Sequence, residues 1–187
     1  MNKTNYVRSD IIVEYAKPED AAAIVDIQKR TWLATYPNEQ AGVTTADIRE
    51  HLEGRDGEMV AKRITRWGKI IGRSGVGSGT FVARLDYKVV GYSSCMISDG
   101  QRLVGALYVL PEAQGQGLGG RLLLEAIGWH RRQAPNDPIF LHVASYNHNA
   151  IGFYERYGFV VTDKHVVDDV GSLPSGVVIP EFEMKLS

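Results

Sequence analysis

Between Leu107 and Gly120 the residue types and their spacing are suited to chemistry. A β-prone run, Leu107-Tyr108-Val109-Leu110, stops at Pro111. Then come Gln114, Gly115, Gln116, Gly117, Leu118, Gly119 and Gly120, and the strongest helical pattern of the chain starts at Leu118. A helix N-terminus offers N–H groups without intrahelical acceptors and the positive end of the helix dipole. Glycines allow a phosphate to approach that backbone, so the geometry suits a diphosphate. Packing of the helix on a sheet accounts for one or two glycines. Four within six residues exceed that need, because each costs about 0.5–1 kcal/mol in a helix. The stretch therefore reads as an anion-binding loop.

The identity of the phosphate ligand follows from what surrounds the loop. Gly115, Gly117 and Gly120 satisfy G-x-G-x-x-G literally. A dinucleotide site also needs an acid just after the following strand. Phe140-Leu141-His142-Val143-Ala144-Ser145 contains none, and Asp137 precedes that strand. No Gly-Lys-Ser/Thr occurs, which removes the nucleoside-triphosphate loop.

Gln114-x-x-Gly117-x-Gly119 resembles the acetyl-CoA loop of the GNAT N-acetyltransferase superfamily, Q/R-x-x-G-x-G/A. A second block resembles the same family: Asn147-His148-Asn149-Ala150-Ile151-Gly152-Phe153-Tyr154-Glu155-Arg156-Tyr157-Gly158-Phe159 fits N-x-x-A-x-x-F-Y-x-x-x-G-F. One helix and one strand fit between the blocks. The resemblance is strong over about residues 103–160 and looser over 11–102. Family loops often carry Lys or Arg where this chain has Gln116, so backbone N–H groups, helped by Arg121, would hold the pyrophosphate.

The resemblance implies transfer of an acetyl group from acetyl-CoA to an amine by direct attack in a ternary complex. The developing oxyanion would meet a backbone N–H of Leu107, Tyr108 or Val109. Residues Gln114 to Gly120 would hold the pyrophosphate. Asn147 would hydrogen-bond the pantetheine arm, with Ala150 and Phe153 packed beside it. Tyr154 would be the acid that protonates the departing thiolate, a phenol of pKa about 10 facing a thiol of about 8.5. The acceptor would be a primary amine, a small molecule or polyamine in preference to a protein N-terminus or lysine. Two rival classes remain on the residues alone: a non-catalytic acyl-CoA sensor of the same fold, and a dinucleotide-dependent oxidoreductase.

An ammonium of pKa about 10 must lose a proton before it attacks. Asp99, Glu112, His142 and His148 could be bases, although loop acids are usually solvated and strand histidines usually packed. Trp32 and Tyr36 could wall an acceptor site, with core packing the commoner role. Lys62, Arg63, Arg66, Lys69 and Arg73 form a basic run that reads as a solvated face. The histidines show no metal-ligand spacing, so no metal is expected.

The elements that must position these groups follow from patterning. Residues 1–10 read as a loose arm and 11–187 as one domain. Ile11–Tyr15 is β-prone, Pro18-Glu19-Asp20 opens a helix that fades before Pro37, and Thr44 with Asp47 caps a second. Met59, Val60, Ile64 and Trp67 predict a third helical face. Gly72–Gly79 reads as a flexible loop, equally a lid or a plain connection. Strands are expected at 81–85, 88–98, 103–110, 139–143, 159–167 and 177–186, with helices at 118–133 and 149–157. This order predicts an α/β (α+β) fold, a GNAT-like mixed central sheet flanked by helices with acetyl-CoA in a split between two near-parallel strands.

Composition adds exclusions. The 187 residues carry 21 Lys/Arg and 22 Asp/Glu, a net charge of −1. No global field would draw the chain to nucleic acid or an anionic membrane, and neither is expected as a partner. Cys95 stands alone, excludes an intrachain disulfide and is expected to be inert. No apolar run reaches membrane-spanning length and the first ten residues have no apolar core of a signal peptide, so a cytoplasmic protein is expected. A homodimer through the late strands is compatible with the pattern.

Overall fold

The computed structural model describes residues 11–75, 77–167 and 172–187. In chain order the elements are β1 (Ile11–Tyr15), α1 (Ala21–Thr35), α2 (Thr45–Glu53), α3 (Glu58–Gly72), β2 (Ser78–Leu85), β3 (Lys88–Ser98) and β4 (Gln101–Val109). They continue with α4 (Leu118–Gln133), β5 (Ile139–Ala144), α5 (His148–Glu155), β6 (Val160–Val167) and β7 (Pro180–Leu186). The strands form one sheet in the order β1-β2-β3-β4-β5-β7-β6. All neighbours are antiparallel except β4 and β5, which run parallel. The expected mixed sheet with flanking helices is present. The arm at 1–10 lies outside the described residues.

Local chemistry explains most boundaries. Before α1, the Lys17 N–H donates to Asp20 Oδ2 at 2.9 Å, closing the turn that Pro18 starts. Pro37 stops α1 one residue after Tyr36. Thr44 Oγ1 accepts the Asp47 N–H at 3.0 Å and starts α2. The stretch 72–79 departs from the expected loop: α3 runs through Gly72 and β2 already begins at Ser78. The reason is packing. A Cβ on Gly79 would lie 3.0 Å from Trp129 Nε1 and 3.1 Å from Cys95 Sγ, so this glycine seats α4 on the sheet.

The two sheet faces carry different helices. Gly91, Ser93 and Cys95 face α4, where Ser93 Oγ donates to Leu122 O at 3.2 Å. Tyr92 points the other way, edge-on to Trp67 of α3 at 5.4 Å. Leu118, Leu122, Leu123, Ala126 and Trp129 bury the α4 stripe in the main core with Ile139, Leu141 and Met184. A second, smaller core gathers Trp32, Ile48, Leu52, Ala144, Leu173 and Ile179. It joins the ends of α1 and β5 to the segment before β7.

Candidate active site

The central strands come apart where the site is built. β4 and β5 pair only over Arg102–Val104 against Ile139–Leu141. Across β3, Ser94 faces Ala106 while Cys95 faces Val104, so Gly105 is an extra residue in β4. Such a bulge bends its strand and increases the twist. Beyond it Ala106–Val109 stay on β3, while His142–Ala144 follow β7. A wedge opens, walled by a β4 edge with no strand opposite it.

The wedge leads to the start of α4. Gln114 Nε2 donates to Val109 O at 2.9 Å and ties the loop back to the end of β4. Gly115 and Gly117 have φ of 76° and 78°, and a Cβ on either would meet nothing within 4 Å. Their conformation calls for glycine, and they leave open space above the backbone. No side chain caps α4 and no acid sits in its first turn. Leu118, Gly119 and Gly120 thus present the uncapped amides expected of an anion site. The other two glycines serve packing. Gly119 lies under Phe153, 3.6 Å from a Cβ position, and a Cβ on Gly120 would collide with Tyr157 Oη. Arg121 does not join the loop: its Nη1 donates to Ile11 O at 3.2 Å.

The Asn147 block borders the other wall. Asn147 Oδ1 accepts the Ala150 N–H at 3.1 Å and caps α5. Phe153 packs on Tyr154 and Tyr157, with ring centroids 5.2 and 5.1 Å apart. Tyr154 is buried in the main core, and among the described residues its hydroxyl has no hydrogen-bond partner. Burial, with a smaller contribution from Tyr108, pushes its pKa far above the usual phenol value. It holds its proton throughout the physiological range.

Around Tyr154 lies a group whose members Trp32, Tyr36 and Tyr108 the sequence offered separately, but whose assembly with Tyr146 spacing did not reveal. Tyr36 and Tyr108 hydroxyls are 3.3 Å apart, and Tyr146 Oη donates to Tyr36 O at 2.8 Å. Trp32 packs on Tyr36 at 4.8 Å and stacks on His51 at 5.6 Å. Burial raises the pKa of Tyr36 and Tyr108, and that of Tyr146 to about 12; the charge of Glu181 adds to all three. Glu181 is 7% exposed and pairs across the sheet with Ala144, the last residue of β5.

The expected bases fare differently. Asp99 lies in the turn between β3 and β4, at the far end of β4 from the wedge. Glu112 is exposed and paired with Arg30 at 2.6 Å. His148 is exposed at the start of α5. His142 Nε2 is 3.9 Å from Glu183 Oε2 within the sheet. The basic run lies along α3, where Lys62, Arg66, Lys69 and Arg73 line a hollow of about 600 Å³ that shares no residue with the loop. Cys95 is sealed, and burial pushes its thiol up to about 12. No group of metal-ligating side chains occurs among the described residues. None of their helices is long and apolar enough to cross a membrane.

A wedge between two parallel strands, ending on an uncapped glycine-rich helix start, defines an acyl-CoA-type transferase fold. The family model described as "Acetyltransferase (GNAT) family" matches residues 21–159. The chain belongs to the GNAT acetyltransferase family.

Among curated relatives, mycothiol acetyltransferase of Streptomyces griseus is 40% identical over 94 residues, 48% of this chain and 29% of that protein. Peptidyl-lysine N-acetyltransferase YjaB of Salmonella typhimurium is 38% identical over 66 residues, 35% of this chain and 41% of that protein. The chain thus matches less than half the length of these relatives. Among solved structures, the PaiA N-acetyltransferase of Thermoplasma acidophilum in complex with coenzyme A has a TM-score of 0.66 at 22% identity, covering 94% of this chain and 98% of that one. YncA of Salmonella typhimurium, a structure with acetyl-CoA, gives 0.65 at 24% identity, covering 96% and 94%.

Proposed function

We propose that the chain transfers the acetyl group of acetyl-CoA to a primary amine. The observation that carries this reading is the wedge: β4–β5 pairing ends at Val104 and Leu141, and the opening leads to the bare amides of α4. Acetyl-CoA supplies the activated thioester; the rest is done by residues of this chain. Residues Gln114 to Gly120 hold the pyrophosphate through backbone N–H groups and the helix dipole. The open edge at Leu107, Tyr108 and Val109 offers an N–H to the thioester oxygen as charge builds on it. The Asn147 oxygen is occupied as a cap, so its side-chain NH2 is the group that reaches the pantetheine arm. Ala150 and Phe153 line that arm.

Tyr154 then acts at the sulfur. Its raised pKa makes it a hydrogen-bond donor that loses its proton only to a strongly basic partner, and a desolvated thiolate is one. The relative named as a peptidyl-lysine N-acetyltransferase supports an amine acceptor. We place small primary amines first, with a lysine side chain as the alternative source of the same group.

Isothermal titration with acetyl-CoA, beside CoA and NAD, tests the donor half. Acetyl-CoA binding that Gly117→Trp abolishes is expected; binding of NAD alone overturns the reading. Release of CoA over a panel of amines tests the transfer half. Binding without transfer to any amine would leave a CoA-binding sensor of the same fold.

A further inference from the structure

Around the mouth of the wedge two hydrogen-bond donors are left unused. Tyr108 comes from the open edge of β4, Tyr146 follows the end of β5 and Tyr36 follows α1. All three are half-buried and pack against the small core that holds Trp32. Tyr146 commits its hydroxyl proton to Tyr36 O. The Tyr36 and Tyr108 hydroxyls lie 3.3 Å apart, so one proton joins the pair and the other stays unused.

Trp32 supplies the second donor. Its ring packs on Tyr36 at 4.8 Å and on His51 at 5.6 Å, and the residue is 3% exposed. Its Nε1 lies beside Tyr108 yet reaches no acceptor with hydrogen-bonding geometry. An indole N–H only donates, and leaving it buried without an acceptor is costly. Two donors side by side call for one oxygen with two lone pairs.

Charge decides the kind of oxygen. Among the described residues no Lys or Arg is bonded to these four side chains, and the charge acting on all three hydroxyls is the negative one of Glu181. A carboxylate ligand would lie there without a counter-ion and near a like charge, at a high desolvation cost. A hydroxyl ligand would bring a proton that needs its own acceptor. An amide carbonyl accepts two hydrogen bonds and brings no proton on that oxygen.

We propose that Trp32 Nε1–H and the spare hydroxyl proton of the Tyr36–Tyr108 pair hold an amide carbonyl oxygen of the acceptor substrate, with Tyr146 fixing Tyr36. The inference rests on the acetyl-transfer reading and deepens it: the acceptor is an amino amide, not a plain alkylamine or a polyamine. A small amino amide and a peptide present the same oxygen. Anchored beside Tyr108, the carbonyl tethers its amine close to the β4 edge that receives the thioester, and such a tether replaces a chance encounter by a held geometry.

The test uses the full chain and two readouts. The first is kcat/KM at saturating acetyl-CoA for glycinamide, β-alaninamide and γ-aminobutyramide, for the corresponding amino acids, for n-butylamine and for a lysine peptide blocked at its N-terminus. At least one amide or the peptide should exceed n-butylamine about 10-fold or more, and Trp32→Phe should remove most of that preference. Equal values for n-butylamine and every amide overturn the inference and leave acetyl transfer intact. Preference for the amino acids over their amides overturns the neutral carbonyl. The peptide ahead of the small amides places the carbonyl on a peptide backbone; the reverse order places it on a small molecule. The second readout needs neither turnover nor a variant. Pentanamide, which has the carbonyl and no amine, should move the Trp32 indole N–H resonance of the wild-type protein downfield, and n-butylamine should not. A resonance that pentanamide leaves in place overturns the inference, as a buried water on Trp32 would require. A shift with pentanamide but no acetylation of any amine overturns the transfer reading, and with it the assignment of this carbonyl to an acceptor.

Discussion

Tyr154 illustrates how burial changes what a side chain can do. A phenol in water would be a weak acid of pKa about 10. Enclosed by Phe153 and Phe159 it is far weaker, and keeps its proton available for the proposed step at sulfur. Tyr154→Phe should lower kcat by about 10- to 100-fold with acetyl-CoA affinity little changed. Steady-state kinetics beside isothermal titration check this, and an unchanged kcat removes Tyr154 as the acid. The glycines of the loop differ from one another in a similar way. Gly117→Ala forces a left-handed conformation on a residue with a Cβ, at about 1–2 kcal/mol. Gly119→Ala meets only ordinary contact with Phe153. The first should weaken acetyl-CoA binding several-fold and the second should leave it close to wild type, as titration of both variants will tell.

Among the elements, α5 and α4 depend on each other. Asn147 caps α5, and α5 brings Phe153 and Tyr157 against the two glycines that begin α4. Asn147→Ala should cost about 1 kcal/mol of stability through the lost cap. If its NH2 holds the pantetheine arm as proposed, the variant should also weaken acetyl-CoA binding. Gly120→Ala must displace Tyr157, an overpacking change of about 1–3 kcal/mol. Tyr157→Phe in the same chain should recover part of that loss, since the hydroxyl is the atom in the way. Urea denaturation of the single and double variants measures both effects. The β4 bulge at Gly105 is the other decisive element. The extra residue falls where β4–β5 pairing ends, at Val104 and Leu141, and the bend it adds helps turn the strands apart.

For the molecule as a whole, two buried groups report on integrity. His130 is fully buried, with Nε2 3.1 Å from Leu103 O, and joins α4 to β4. Burial lowers its pKa, and Arg102 and Arg131 add to the shift. The unfolded chain therefore binds this proton more readily than the folded one. The contribution is fully present above the unfolded value of about 6.5 and is lost as pH falls toward the lower folded value. Melting temperatures measured from pH 7.5 down to pH 5 should fall, and His130→Gln should flatten that slope. Cys95 is 1% exposed with its thiol raised to about 12. A thiol reagent at pH 8 should leave the native protein unlabelled and react only on unfolding. Rapid native labelling would show that the core around Gly79 and Trp129 opens locally.

Local signals in the chain carry far. Proline just after the strand, glycines at 115 and 117, and the periodic stripe from Leu118 act over a few residues, so the glycine loop and its helix are legible from order alone. The short helix that holds Tyr154 is legible in the same way, whereas the capping of that helix by Asn147 is seen only in the structure. Tertiary structure decides the rest. It ends the 72–79 loop early because Ser78 and Gly79 pair with Met96 and Cys95 of β3, where Gly79 also admits Trp129. It gathers Tyr36, Tyr108, Tyr146 and Glu181 from four separate stretches of the chain, and no spacing links such positions. In Glu181-Phe182-Glu183-Met184-Lys185-Leu186 the alternation reads as polar residues facing water. Yet Glu181 and Glu183 are 7% and 5% exposed. Alternation tells which residues share a face of a strand; only the packing of α1, β5 and β7 decides whether that face meets solvent or encloses a site.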